Sequence, residues 1–297
     1  MKIFAYIFSF VFLVMFASCK ENTQTTATTE AAVNENLAVA SDAWIQERVT
    51  KAKTKLSQSE AGKIVWQAME AHGGLANFYG NGPLSFHFDY QPLDGSTRRN
   101  TYQTVDTYSN KARHQHVTDR SQEFGWTGEK TWHKVKDSLA FPFDMRFWAL
   151  TPHYFLSQPF VLDGEGVILE KLADKTHKNV AYDAIKASFE AGTGDAPDDY
   201  YVLYFGKEDH KLAVIRYIVS YPKYFPNGGH LPEKLMELQG TTVVNGIEFS
   251  TGYHTHWLTE EEQAGEHITT IDVSEISFKP ETEKGYFEMP VGGVVVE

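Results

Sequence analysis

Four histidines stand in pairs two residues apart, His114-Gln115-His116 and His254-Thr255-His256. Both pairs fall in stretches that read as β-strands, where residues two apart share a face about 7 Å from one another. Two imidazoles so placed could share a zinc ion, with a third ligand from a neighbouring strand. The chemistry would then be that of a metal-dependent exported enzyme. The plainer reading is polar residues on a half-wet sheet face, because 12 histidines in a strand-rich chain produce such pairs by chance. Asp195, Asp198 and Asp199 share a turn rich in Gly and Pro and read as solvated loop charges, with calcium as the alternative. Glu260, Glu261 and Glu262 read as a surface loop. The chain has no Gly-x-Ser-x-Gly elbow, no His-Glu-x-x-His, no phosphate-cradling loop and no Cys-x-x-Cys. The expectation is a protein without catalytic residues, bound metal or cofactor.

Cys19 carries chemistry of another kind. It is the only cysteine, so no disulfide can form within the chain. Lys2 is followed by an apolar run over residues 3–16, too short for a comfortable transmembrane helix and suited to a secretory signal. Ala17 and Ser18 then precede Cys19, as in a bacterial lipobox, with Phe16 where leucine is usual. The expectation is a lipoprotein signal peptide over 1–18, a lipid on Cys19, and membrane anchoring without a span. Residues 19–40 are rich in Thr, Ala and Asn and read as a flexible tether. Residues 41–297 read as a single domain.

Composition excludes some partners. With 39 acidic against 27 basic side chains, the net charge is −12 and no basic stripe exists for nucleic acid or anionic headgroups. The 20 Phe, 15 Tyr and 6 Trp suit strands and apolar pockets.

The elements that would position these residues can be read from periodicity. Residues 41–56 read as a helix with a thin apolar face. A second helix is capped by Ser57 or Ser59, shows Ala61, Ile64, Val65, Ala68 and Ala71 at helical spacing, and stops at Gly73-Gly74. From Leu84 the period becomes two: Leu84, Phe86, Phe88 and Tyr90 alternate with polar residues. Further strands are expected at 101–108, 112–118, 123–126, 131–135, 179–189, 200–205, 212–221, 234–239, 243–249, 251–258 and 267–278. Asn245-Gly246 marks a tight hairpin. Strands at short spacing indicate an antiparallel meander.

Residues 141–162 break this pattern. They are dense in aromatics and interrupted by Pro142, Pro152 and Pro159, which forbids a central strand. Short helices fit better, with Pro152 near a helix start. So much apolar surface must fill the sheet's hollow, line a pocket or meet a membrane.

The helix ending in Ala71-His72-Gly73-Gly74, the aromatics Phe78 and Tyr79 before the first strand, the hairpin around Asn245-Gly246, and the last strand leading to Phe287 and Pro290 together resemble the LolA/LolB-like superfamily. Its uncharacterised outer-membrane lipoproteins are the nearer likeness. The resemblance implies a mainly β (α+β) fold: a curved antiparallel half-barrel, an N-terminal helix, and short helices over the concave face. It also implies an apolar cavity for a lipid or acyl chain, and a place in the cell envelope at the outer membrane. On that expectation Phe86, Phe88, Phe205 and Tyr217 line the cavity, and Phe147, Trp148, Tyr154 and Phe155 cover it. Lipid or lipoprotein trafficking is the expected role. The alternatives are the metal-dependent enzyme and a structural envelope lipoprotein with no ligand.

Overall fold

The computed structural model describes residues 36–296. The expected signal peptide, Cys19 and the tether as far as residue 35 lie outside the described residues. Asn34–Glu297 forms one compact unit. Its described residues contain three apolar clusters, so the unit carries a core on which to fold alone.

Two capped helices open the unit. Helix α1 (Asp42–Leu56) starts at Ser41, whose hydroxyl accepts the Trp44 N–H at 3.3 Å. Helix α2 (Glu60–Ala71) starts at Ser59, whose hydroxyl accepts the Gly62 N–H at 3.0 Å. It buries Ala61, Ile64, Val65, Ala68 and Met69, as its spacing requires. Beyond it Gly73 donates to the Glu70 carbonyl and Gly74 to the Met69 carbonyl, and both glycines have positive φ. A short helix α3 (Leu75–Gly80) follows. It was not expected, because six residues are too few to show helical periodicity.

The meander begins with β1 (Leu84–Pro92), β2 (Arg99–Asp106), β3 (Lys111–His116), β4 (Glu123–Trp126) and β5 (Thr131–Lys134). Each pairs antiparallel with the next. Helix α4 (Met145–Leu156) then interrupts the strands, followed by a 3-10 turn at Phe160–Asp163. The second run comprises β6 (Val167–Lys171), β7 (Lys175–His177), β8 (Val180–Phe189), β9 (Tyr201–Gly206), β10 (Leu212–Tyr217) and β11 (Lys234–Leu238). The hairpin β12 (Thr241–Val244) and β13 (Ile247–Ser250) stands apart from the main sheet. Last come β14 (Gly252–Leu258), β15 (Ala264–Phe278) and β16 (Val294–Val295).

Among the described residues these strands make one 14-stranded sheet in the order β16-β5-β4-β3-β2-β1-β15-β14-β11-β10-β9-β8-β6, with β7 beside β8. The sheet is antiparallel, curved and open. Strand β15 joins its halves, pairing with β1 on one side and β14 on the other. No helix among the described residues is long and apolar enough to cross a membrane.

Three local expectations need correcting. Pro152 lies inside α4, not near its start. Asp144 caps the helix by accepting the Phe147 N–H at 2.9 Å. Packing of α4 against β3, β4 and β5 offsets the hydrogen bond that proline removes. The strands β6 and β7 were missed because their residues are mostly charged or half-exposed. The tether reaches order before residue 40: Ala38 is 0% exposed and donates to the Thr282 carbonyl, while Leu37 bridges Glu283.

The His-Gly-Gly helix end and the Asn-Gly hairpin form one joint. Glu248 N–H donates to the His72 carbonyl at 2.9 Å, and the Asn77 amide donates to the Asn245 carbonyl at 3.1 Å. A Cβ on Gly73 would stand 2.1 Å from the Gly246 carbonyl oxygen, so the approach requires glycine there.

Candidate functional site

Between α4 and the sheet lies a cavity of about 550 Å³, within the roughly 300–1,000 Å³ usual for small-ligand sites. Alternation along the strands determines what faces it. On β1, Leu84, Phe86, Phe88 and Tyr90 share one face, and Tyr90 lines the cavity. On β9 and β10, Tyr201 and Tyr217 do the same, with their rings stacked at 6.1 Å. Helix α4 supplies the opposite wall. Trp148 meets Tyr90 edge-on at 4.9 Å, Tyr154 meets Tyr201 at 4.8 Å, and Phe155 meets Tyr217 at 5.1 Å. Phe147 reaches outward to Tyr221 and Tyr224 at 5.0 and 5.4 Å.

Of the residues expected to form the site, Phe147, Trp148, Tyr154, Phe155 and Tyr217 line this cavity. Phe86, Phe88 and Phe205 do not. They are buried in the apolar cluster that also holds Ile64, Val65 and Met69 of α2 and Leu75 of α3. The reason is position along the strand. Only the Tyr90 end of β1 and the Tyr201 end of β9 meet the cavity, and farther along the same face the space is filled. Sequence reasoning missed Trp44, Tyr79, Tyr90, Arg99, Tyr201 and Lys234. Tyr90 shares its strand parity with Phe86 and Phe88, a signal that was present.

The polar groups of the lining divide by partner. At the α1 end, Asp163 accepts from Arg48 Nε at 2.5 Å and Nη2 at 2.8 Å, and from the Tyr79 hydroxyl at 2.9 Å. This carboxylate makes the Arg48 guanidinium still harder to deprotonate, while burial drives the Tyr79 phenol well above its ordinary value. Lys55 pins the adjoining loop by donating to the carbonyls of Gly164, Glu165 and Val167. Asp195 is paired with Arg146 at 2.6 Å. Asp199 accepts from the Ser220 N–H and hydroxyl at 2.6 and 2.7 Å, and burial raises its pKa. Asp195 and Asp199 are therefore structural partners in the lining. Burial also raises the Tyr201 and Tyr217 phenols well above the ordinary value, so both stay neutral. Lys234 is 8% exposed and burial pushes it down to about 8, helped by the charge of Arg99.

The histidine pairs are not brought together. His114 is 1% exposed and faces α4: its Nε2 lies 2.9 Å from the Ala149 carbonyl, its Nδ1 3.1 Å from the Thr101 hydroxyl, and its ring stacks on Phe124. The carbonyl requires Nε2 to carry the proton, so Nδ1 accepts from Thr101. Burial drives its pKa down to about 4, and the neutral ring fastens α4 to the sheet. On β14, Tyr253 is turned towards α4, its hydroxyl donating to the Phe155 carbonyl at 3.3 Å. Strand alternation therefore sends the neighbouring His254 to the other face, where it meets His267 at 4.8 Å. Four strand steps and the sheet itself separate the two pairs. Among the described residues no group of three or more His, Cys, Asp or Glu is placed to hold a metal ion.

No family model and no curated protein matches the chain. Among solved structures, it is similar to a LolA superfamily protein from Nitrosomonas europaea, at 11% identity and a TM-score of 0.46 over 74% of this chain and 93% of that one. It is also similar to a domain described as an outer membrane lipoprotein-sorting protein from Vibrio parahaemolyticus, at 11% identity and a TM-score of 0.43 over 82% and 97%. A DUF1329 family protein from Desulfovibrio piger gives 11% identity and a TM-score of 0.40 over 82% and 97%. The fold class implied by the sequence resemblance, an open curved sheet with helices over its hollow, is the one observed. At these scores the likeness bears on shape alone, and the functional reading rests on the cavity.

Proposed function

We propose that this chain is a binding protein that holds a lipid or acyl chain between α4 and the sheet, tethered to an envelope membrane through a lipid on Cys19. The observation that carries the reading is the cavity of about 550 Å³, walled by Tyr90, Trp148, Phe155, Tyr201 and Tyr217. Burial of each ligand methylene there contributes about 0.8 kcal/mol, so a long chain supplies affinity without a catalytic step. The outer membrane is the proposed location, and lipid or lipoprotein trafficking the proposed role. Leu150 also lines the cavity and is only half-buried, so Leu150→Trp should occupy ligand space with little strain on the core. The variant, in residues 34–297, should keep its near-UV circular dichroism and lose at least tenfold in affinity for an environment-sensitive apolar dye. Unchanged dye binding would sink the proposal.

A further inference from the structure

The cavity contains more positive charge than its own carboxylates neutralise. Its acidic lining residues are satisfied: Asp163 by Arg48 and Tyr79, Asp195 by Arg146, Asp199 by Ser220. Two cations remain. Lys234, on β11, is 8% exposed, and its Nζ makes no hydrogen bond or ion pair among the described residues. It has only the rings of Tyr217 and Trp257, at 5.8 and 5.3 Å. Arg99, on β2, lies over Tyr90 and Trp148 at 5.2 and 5.1 Å, and its buried Nε has no partner. The other charged groups buried along this sheet show how such a group is ordinarily satisfied. Arg216 bonds Glu233 and Glu262, and Arg113 bonds Glu123.

A buried charge without a counter-ion is destabilising and persists where something else supplies the opposite charge. Lys234 is such a charge, and Arg99, half-buried with its buried Nε unpartnered, borders the same apolar space. Resting on the proposed binding function, we infer that the ligand is an anionic amphiphile whose single oxyanionic head is held by Lys234 and Arg99 while its chain lies among the aromatics of α4 and the sheet. The shared chemistry is a carboxylate or phosphate head on a long apolar chain. Aromatic faces hold the two cations in place before the ligand arrives, so little ordering is needed on binding. Proton affinity agrees with this geometry: burial and the neighbouring Arg99 already weaken the hold of Lys234 on its proton, and an incoming anion would restore it.

The test is a set of titrations of residues 34–297 with hexadecanoate, hexadecyl phosphate, hexadecan-1-ol and inorganic phosphate, followed by intrinsic fluorescence. The wild type should bind both anionic amphiphiles on the order of 10- to 100-fold more tightly than the alcohol, as expected for charge-assisted hydrogen bonds out of water. In Lys234→Met and Arg99→Met that preference, taken as the ratio of acid to alcohol affinity within each variant, should shrink about tenfold each, with near-UV circular dichroism as the control for folding. Lys234→Arg should retain the preference. A wild type that binds the alcohol as tightly as the acids overturns the anion site and leaves the apolar cavity standing. Inorganic phosphate binding as tightly as hexadecyl phosphate overturns the amphiphile and assigns the cations to a free anion. Failure to bind any of the four overturns this inference together with the binding function beneath it.

Discussion

Burying the Lys234 ammonium without a carboxylate costs the fold stability, and pH shows how much. Arg99 is the charged group that acts on it, and the Tyr217 ring lies 5.8 Å away. Its folded pKa of about 8 lies below the ordinary 10.5. Between those values the unfolded chain binds more protons than the folded one, so stability rises with pH across the window. Below pH 8 the full penalty applies, on the order of 3 kcal/mol at 1.36 kcal/mol per unit. Lys234→Met should therefore raise the free energy of unfolding at pH 7 by up to about 3 kcal/mol, and the gain should shrink as pH climbs from 8 to 10.5. Urea unfolding at pH 7 and pH 10 checks this. Equal destabilisation at both would mean that the lysine is a packing residue. A stabilising change that removes binding is the signature of a residue kept for function.

Helix α4 and the α2–hairpin joint do different work as elements. Helix α4 brings Phe147, Trp148, Tyr154 and Phe155 to the cavity, and the His114 and Tyr253 hydrogen bonds to the Ala149 and Phe155 carbonyls fix its height above the sheet. The joint sets where the second helix lies. Gly73 combines a φ of +116° with a Cβ position 2.1 Å from the Gly246 oxygen. Gly73→Ala must both adopt a strained backbone and push the hairpin away, which should destabilise by about 2–4 kcal/mol. A urea midpoint that places the variant within about 0.5 kcal/mol of wild type would contradict the tight joint. The same motif shows what a sequence conveys. Tandem glycines after a periodic helix announce a stop, and Asn-Gly announces a turn, because each is a local conformational demand. That the two touch is a tertiary fact that neither segment encodes locally. Helix α3 and strands β6 and β7 stayed hidden for a related reason: they are short or half-exposed, and periodicity needs length and a clear apolar face.

Across the whole molecule, the antiparallel class and most strands were legible because one apolar face forces an alternation of two. Aromatic density over residues 141–162 announced apolar surface that had to be buried, while leaving open whether it fills the hollow, lines a pocket or meets a membrane. Alternation gives the face of a residue but not its distance along the trough. Phe86, Phe88 and Phe205 were therefore assigned to the cavity, yet they lie in the filled region, while Tyr90 and Tyr201 on the same strands meet the space. Lys234 and Arg99 were illegible for the opposite reason. A charge at an inward position reads as a strand-edge residue until the missing counter-ion can be seen in three dimensions. The most direct measurement on the molecule is native mass spectrometry of residues 34–297 incubated with a lipid extract of a bacterial envelope, before and after gentle denaturation. A discrete long-chain anionic mass that leaves on denaturation is the predicted result. A clean unliganded mass that takes up neither hexadecanoate nor added phospholipid would contradict a lipid-binding cavity.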